Sequence, residues 1–308
     1  MTASATTTSR HATHIPIAAS LMALGSGVVW SFGAVTARKA EHADAFQYLI
    51  WRSVGVLVVM EVMTAIRHQP MLLPKAYMSG KWMLSAVFGL LLASFMFVYA
   101  VKTTTAANAS FLGSVTPLAA VVLARFVLGE RLSRVTLGAI VVAFVGLIVT
   151  VLGDLHAGNM LGNIAALTAS VGFAMYTISV RSDPHRDWSP VLPGYAAAMI
   201  VLCSLITVVN GKTLMPPAQD MAYALMHGAV FIVVGTKLFN RGSRLVPAVP
   251  MTIFAQTEMV FVPLWAFLVL SEAPKAATVV GGAIIFSAVV GKAIIDTSPG
   301  AVQPIQEG

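Results

Sequence analysis

Residues 82–101 read WMLSAVFGLLLASFMFVYAV, twenty residues without a charge, bounded by Lys81 and Lys102. A helix rises about 1.5 Å per residue, so about twenty apolar residues cross the roughly 30 Å of bilayer hydrocarbon. The run is continuously apolar. It lacks the in–out alternation over about ten residues that a membrane barrel strand requires. Working outward, nine more segments read the same way: 16–37, 46–66, 104–127, 134–152, 160–180, 190–209, 221–240, 246–270 and 276–295. In lipid the backbone must satisfy its own hydrogen bonds, so these are helices. The expected fold is an all-α integral membrane protein with ten transmembrane helices. The least marked boundary lies between the third and fourth spans, where Lys102 and the run Thr103, Thr104, Thr105 are the only signal.

Composition agrees. Of 308 residues, 57% are hydrophobic and 10% charged, against about a quarter charged in a soluble domain. Mean hydropathy is +0.84. Such a chain is neither disordered nor able to cover a soluble core. Its one cysteine, Cys203, excludes an internal disulfide framework and a CxxC metal site. No P-loop, HExxH or GxSxG pattern occurs, and no cofactor or metal is implied. The net charge of +7 lies between the apolar runs rather than in one stripe, so it speaks for membrane orientation and not for nucleic acid. Counted over alternate loops, thirteen Lys and Arg residues lie on the side of the N-terminus and six on the other. That places both termini in the cytoplasm of an inner-membrane protein. Residues 1–15 read as a cytoplasmic tail, because the apolar stretch behind them is too long for a signal-peptide core. Residues 297–308 form the C-terminal tail.

An internal repeat organises the spans. Phe126-Val127-Leu128-Gly129-Glu130 matches Leu268-Val269-Leu270-Ser271-Glu272 at an offset of 142, and Thr136 matches Thr278. Ala23-Leu24 matches Ala166-Leu167, Trp30 matches Phe173, and Arg38 matches Arg181, at an offset of 143. The shared offset divides the chain into 16–153 and 154–296, five spans each. Five is odd, so the halves lie in opposite orientation across the membrane. Inverted repeats of this kind support alternating access about a midplane site.

These features resemble the EamA-type carriers of the drug/metabolite transporter superfamily, over residues 16–296. The resemblance rests on Thr116-Pro117 with Leu128-Gly129-Glu130, on Leu49-Ile50-Trp51-Arg52, and on Glu258 with Leu270-Ser271-Glu272. In that family a proline stands thirteen residues before the glutamate. Pro117 fits, whereas Met259 stands there in the second half, with Pro263 a turn later. The resemblance implies a transporter of small molecules with export favoured, and it is compatible with a monomer or a homodimer.

Ionisable groups inside hydrocarbon cost about 2.5–3.5 kcal/mol each on insertion scales, so they are the candidates for mechanism. Glu61 and Arg125 lie near helix ends and read as interfacial groups. Glu258, deep in the ninth span, and Lys237, in the eighth, suggest a pair that binds or exchanges with a zwitterionic substrate. The competing reading is a static pair, or a Lys237 that snorkels. Arg52 either orients an anionic group, organises the outer gate or anchors a short loop. His227, with Glu258, is a candidate for proton coupling, set against a neutral histidine bonded inside the bundle. Trp30, Tyr176, Phe95 and Tyr99 are expected to wall the cavity, with Asn108, Thr116 and Gln256 adding polar atoms. Pro117 and Pro263 are expected kinks. The reading is a secondary transporter for a small polar metabolite, such as an amino acid. The rivals are an integral-membrane enzyme, for which the seven scattered histidines form no catalytic cluster, and a channel or accessory protein without carrier activity.

Overall fold

A computed structural model describes residues 17–113, 115–127, 134–152, 159–183, 185–242 and 257–297. Among these residues every regular element is helical: α1 Ile17–Lys39, α2 Ala45–Ile66, α3 Leu72–Met78, α4 Lys81–Thr103, α5 Ala106–Gly113, α6 Thr116–Val127, α7 Arg134–Leu152, α8 Asn159–Arg181, α9 Val191–Val209, α10 Ala218–Met226, a π-helical turn His227–Ile232, α11 Val233–Gly242, α12 Thr257–Leu270 and α13 Ala276–Thr297. Six helical stretches are long and apolar enough to cross a membrane, with shorter apolar segments in α7, α12 and α13. Side chains such as Val141, Phe144, Val201 and Leu205 are more than 60% exposed. In water they would be an association hazard; in lipid they are the ordinary outer face.

The weakly marked boundary after the third span is real, since α4 ends at Thr103 and α5 begins at Ala106. The expected kink at Pro117 is a break. Proline cannot donate a backbone bond, so its helix stops short upstream. α5 ends at Gly113 and α6 begins at Thr116. The Gly113 carbonyl accepts instead from Thr116 Oγ1 at 2.7 Å and from Ser170 Oγ at 3.1 Å. Ser170, on α8, has Leu112 O in reach as well, at 3.2 Å, so its single hydroxyl proton serves one of these open carbonyls at a time. Pro263 interrupts nothing of this kind, since α12 runs through it.

The packing exchanges between halves. α4 packs along α8 most extensively, and its counterpart is α1 against α10, the π turn and α11. α5 and α6 against α8 correspond to α12 against α1, and α4 against α9 corresponds to α2 against α10 and the π turn. α2 with α9, α7 with α13, and α5 with α12 pair each helix with its own counterpart. The α4–α8 seam is a contact of backbones: a Cβ on Gly172 would lie 2.5 Å from Ala93 N, and one on Gly89 would lie 2.7 Å from Tyr176 N. Small residues permit such approach between membrane helices.

α12 ends in a left-handed turn. Ser271 has φ 55°, and the Glu272 N–H donates to Ala266 O at 3.1 Å, six residues back. A left-handed residue just past a helix end favours glycine. Ser271→Gly is therefore expected to stabilise the protein by about 0.5–1 kcal/mol, read as a raised thermal midpoint in detergent. A lowered midpoint would show that the Ser271 side chain matters more than its backbone.

Candidate functional site

The helix ends around the α1–α2 loop are tied together, and most of the ties join the two halves. The cap turn of α12 aims Glu272 at Arg38, with Nη2 donating to Oε1 at 2.5 Å. Asp220, in the first turn of α10 and 3% exposed, accepts from His42 N at 2.8 Å and Ala43 N at 2.6 Å. Lys102, at the end of α4, donates to Ala43 O at 2.9 Å and to Ala40 O. Asp44 caps α2 in a capping box with Gln47 and pairs with Lys212 at 2.8 Å. Burial pushes the Asp44 carboxyl up, but Lys212 and the Gln47 and Phe46 N–H groups more than offset this and hold it below its ordinary value. Gln47 Nε2 and Trp51 Nε1 donate to Thr213 O and Leu214 O at 2.7 and 3.0 Å.

The opposite end has ties of its own among the described residues. Glu61 accepts from Leu73 N at 2.8 Å and Leu72 N at 3.2 Å. It is thus not merely an interfacial group but the anion at the start of α3. Tyr77 Oη donates to Gly194 O at 2.7 Å, and Arg186 Nη1 to Ser79 O at 3.1 Å.

Between these ends lie two aromatic groups. Trp30 meets Phe173 edge-on at 5.8 Å and Phe239 at 5.4 Å, and Tyr176 joins Phe173 at 5.6 Å. Tyr176 Oη donates to Asn240 Oδ1 at 2.9 Å. Trp30 and Phe173 are repeat counterparts (173 − 30 = 143). Phe32 stacks between Phe231 and Trp265 at 5.3 and 4.9 Å, and Trp265 Nε1 donates to Ser31 Oγ at 2.9 Å. Phe95 and Tyr99 pack instead on Phe46, at 5.7 and 6.5 Å.

The π turn sets the polar centre. An extra residue per turn is unusual and recurs at functional positions. Here it places His227, 2% exposed, over Gly33 and against Tyr48. Tyr48 Oη donates to Thr36 Oγ1 at 3.0 Å and lies 2.8 Å from His227 Nδ1. With the tyrosine proton spent on Thr36, Nδ1 is the donor of that second bond. His227 is thus a buried, bonded histidine. The next residue, Gly228, presses on the Arg52 carbonyl.

Arg52 is 1% exposed. Its Nη2 donates to Ser94 Oγ at 2.5 Å, while Nε has no acceptor. The four ion pairs among the described residues do not include it. Ser53 Oγ, also buried, is likewise without an acceptor or donor, and Tyr195 Oη approaches Ser94. Tyr195 lies within electrostatic reach of Arg52, and it is Arg52's repeat counterpart (195 − 52 = 143).

The expected Glu258–Lys237 pair is absent. Glu258 stands half-buried in the first turn of α12, and Lys237 Nζ points to Met63 Sδ at 3.1 Å. One turn on, Arg241 shares the α11 surface with Lys237, which favours an outward-reaching lysine over a buried pair. Asn108 and Thr116 also serve the scaffold: Thr278 Oγ1 donates to Asn108 Oδ1 at 2.7 Å, tying α5 to α13, and Thr116 closes the helix break. Gln256 lies outside the described residues, as do the side chains of Pro117 and Arg181 and the whole of Glu130. A cavity of about 280 Å³ between α6, α7 and α8 is lined only by apolar side chains, from Val115 to Val171. It offers nothing to a polar substrate. Sequence reading missed Tyr48, Thr36, Ser94, Tyr195 and Asp220. Asp220 carried a signal, an acid at the head of an apolar span behind Pro216-Pro217.

A bundle of apolar helices with lipid-suited outer faces and polar groups buried between them reads as a polytopic membrane protein. The chain belongs to the EamA-like transporter family, which matches it twice, at residues 17–152 and 160–292, and so to the drug/metabolite transporter superfamily. It is similar to the pseudopaline exporter CntI of Pseudomonas aeruginosa, 23% identical over 246 residues and 79% of each chain. It is also similar to the uncharacterized transporter YetK of Bacillus subtilis, 26% identical over 230 residues, 69% of this chain and 68% of the other. One solved crystal structure superposes on 91% of this chain and 97% of its own, with a TM-score of 0.66 at 18% identity, a likeness of fold. The protein is a multi-pass membrane transporter whose partners are the bilayer and a small molecule. The family points to transport rather than enzymatic turnover.

Proposed function

We propose that the chain is a ten-helix secondary transporter of the inner membrane that exports a small polar metabolite, such as an amino acid, by alternating access. The reading takes α5 with α6, and α10 with the π turn and α11, as one span each. The two halves, 16–153 and 154–296, are inverted repeats with both termini in the cytoplasm. The observation that carries it is the exchangeable packing, in which each major helix contact maps onto its counterpart when the halves are swapped. Such a bundle has two near-equivalent arrangements, the requirement for exposing one site to either side. The ties around Arg38–Glu272 and Asp220 join the halves at one end, which supports reading that end as a closed gate, and the basic-residue count reads it as the outer one. Similarity to the pseudopaline exporter favours the outward direction.

Counterflow in proteoliposomes tests this. A carrier loaded with unlabelled substrate is expected to show saturable uptake of the labelled compound, over a panel of amino acids and small metabolites. Glu258→Gln is expected to reduce that exchange if the half-buried carboxylate serves coupling. Unchanged exchange would remove Glu258 from the mechanism and keep the carrier. No exchange by folded protein across the panel would sink the transport reading for these substrates.

A further inference from the structure

The buried cation at the junction of α2, α4, α9 and the π turn has no anion of its own. Taking a guanidinium out of water costs several kcal/mol unless a counter-charge and hydrogen bonds replace its hydration. Ser94 supplies one bond at 2.5 Å, and no carboxylate among the described residues reaches Arg52. Arginine stays charged whatever its surroundings, so the deficit cannot be relieved by losing a proton. Its own Nε is unmet, and the Tyr195 hydroxyl, on the counterpart helix of the other half, lies within reach of both Arg52 and Ser94. A scaffold would remove such a deficit with an apolar residue. A binding site keeps it, because the ligand completes it.

We infer that Arg52, with Ser94 and Tyr195, forms the receptor for a carboxylate group of the transported compound. The guanidinium presents parallel N–H groups to the two carboxylate oxygens, and the Tyr195 hydroxyl donates a third bond. Arg52 and Tyr195 come one from each half, so a bound carboxylate bridges the halves where they move against each other. This deepens the transport reading and rests on it: the substrate class becomes carboxylates, and its anchor is Arg52 rather than the Glu258–Lys237 pair.

The test compares wild type, Arg52→Lys and Arg52→Met in lipid nanodiscs. The probes are matched acids and amides: benzoate and benzamide, succinate and succinamide, L-leucine and L-leucinamide. At least one carboxylate is expected to raise the thermal midpoint of the wild type while its amide does not. Arg52→Met should abolish that rise, and Arg52→Lys should weaken binding at least tenfold. The ligand-free midpoint of Arg52→Met should equal or exceed that of wild type, whereas a merely structural arginine would lower it. If Arg52→Met fails to fold, Arg52→Lys carries the test, and carboxylate stabilisation in Arg52→Lys equal to that of wild type counts against the inference. Stabilisation surviving in the variants, amides as good as acids, or no carboxylate acting on the wild type would each overturn it. Counterflow with the same probes separates the two readings. Arg52-dependent binding without flux leaves the site and removes transport; flux indifferent to Arg52→Met leaves transport and removes the site.

Discussion

Gly228→Ala is expected to destabilise the protein by about 3 kcal/mol, the upper end of what overpacking costs. The reason is local. Gly228 sits in the π turn with its α-carbon on the carbonyl of Arg52, and a methyl group there would overlap that oxygen and crowd Val56 N at 3.1 Å. The obstacle is backbone, so no side-chain rotation relieves it. Either α2 moves away from the turn, or the π turn unwinds. Both would disturb His227–Tyr48 on one side and Arg52–Ser94 on the other. The measurement is the thermal midpoint and monodisperse yield in detergent. Gly113→Ala is the control, because nothing stands within 4 Å of a Cβ there. A Gly228→Ala protein as stable as wild type would show that the contact between α2 and the π turn is loose.

Asp220→Ala is expected to open the tied end. The carboxylate is buried and holds His42 N and Ala43 N, with Lys102 bonded to the same loop from α4. Removing it strands two backbone donors and leaves the Lys102 charge to the more distant Asp44 and Glu41. Hydrogen bonds to a charged group contribute about 1.5–3 kcal/mol each, so a loss of about 3 kcal/mol is expected in the closed arrangement. The Arg38–Glu272 pair is more exposed, 30% and 22%, and single substitutions there should cost well under that. Arg38→Glu with Glu272→Arg should recover what either charge reversal loses. Asp220→Asn keeps the shape and one acceptor, so it should lie between wild type and alanine. If Asp220→Ala lowers the midpoint while thiol labelling around residue 42 is unchanged, Asp220 is a packing group and not a latch.

The all-helical, membrane-spanning character was legible because lipid leaves so few choices. Continuous apolar runs had to be helices, and the weak signal at Thr103–Thr105 was enough to place a boundary. The small residue before the glutamate also had a recoverable meaning. Ser271 takes the left-handed cap position, and that cap aims Glu272 at Arg38. The site was less legible. Glu258 and Lys237 attracted attention as charges within apolar spans, yet a single sequence does not fix which face of a helix meets which neighbour. Arg52 and Tyr195 are equivalent positions, but one is arginine and the other tyrosine, so residue matching could not pair them. The π turn shifts the register of its span at His227, which no periodicity reading anticipates. Thr36 and Tyr48 gain importance only through what that turn places beside them.

The central claim is that the two ends open in alternation. Spin labels test it directly, in a Cys203→Ala background, with one pair at Glu41→Cys and Lys275→Cys and another at Gln69→Cys and Arg241→Cys. Distances are measured by pulsed electron resonance with and without Asp220→Ala. Releasing the latch is expected to lengthen the Glu41–Lys275 distance and to shorten the Gln69–Arg241 distance in the same population. Lengthening at the first pair with no change at the second would mean a loop that frays, and alternating access between these halves would be contradicted.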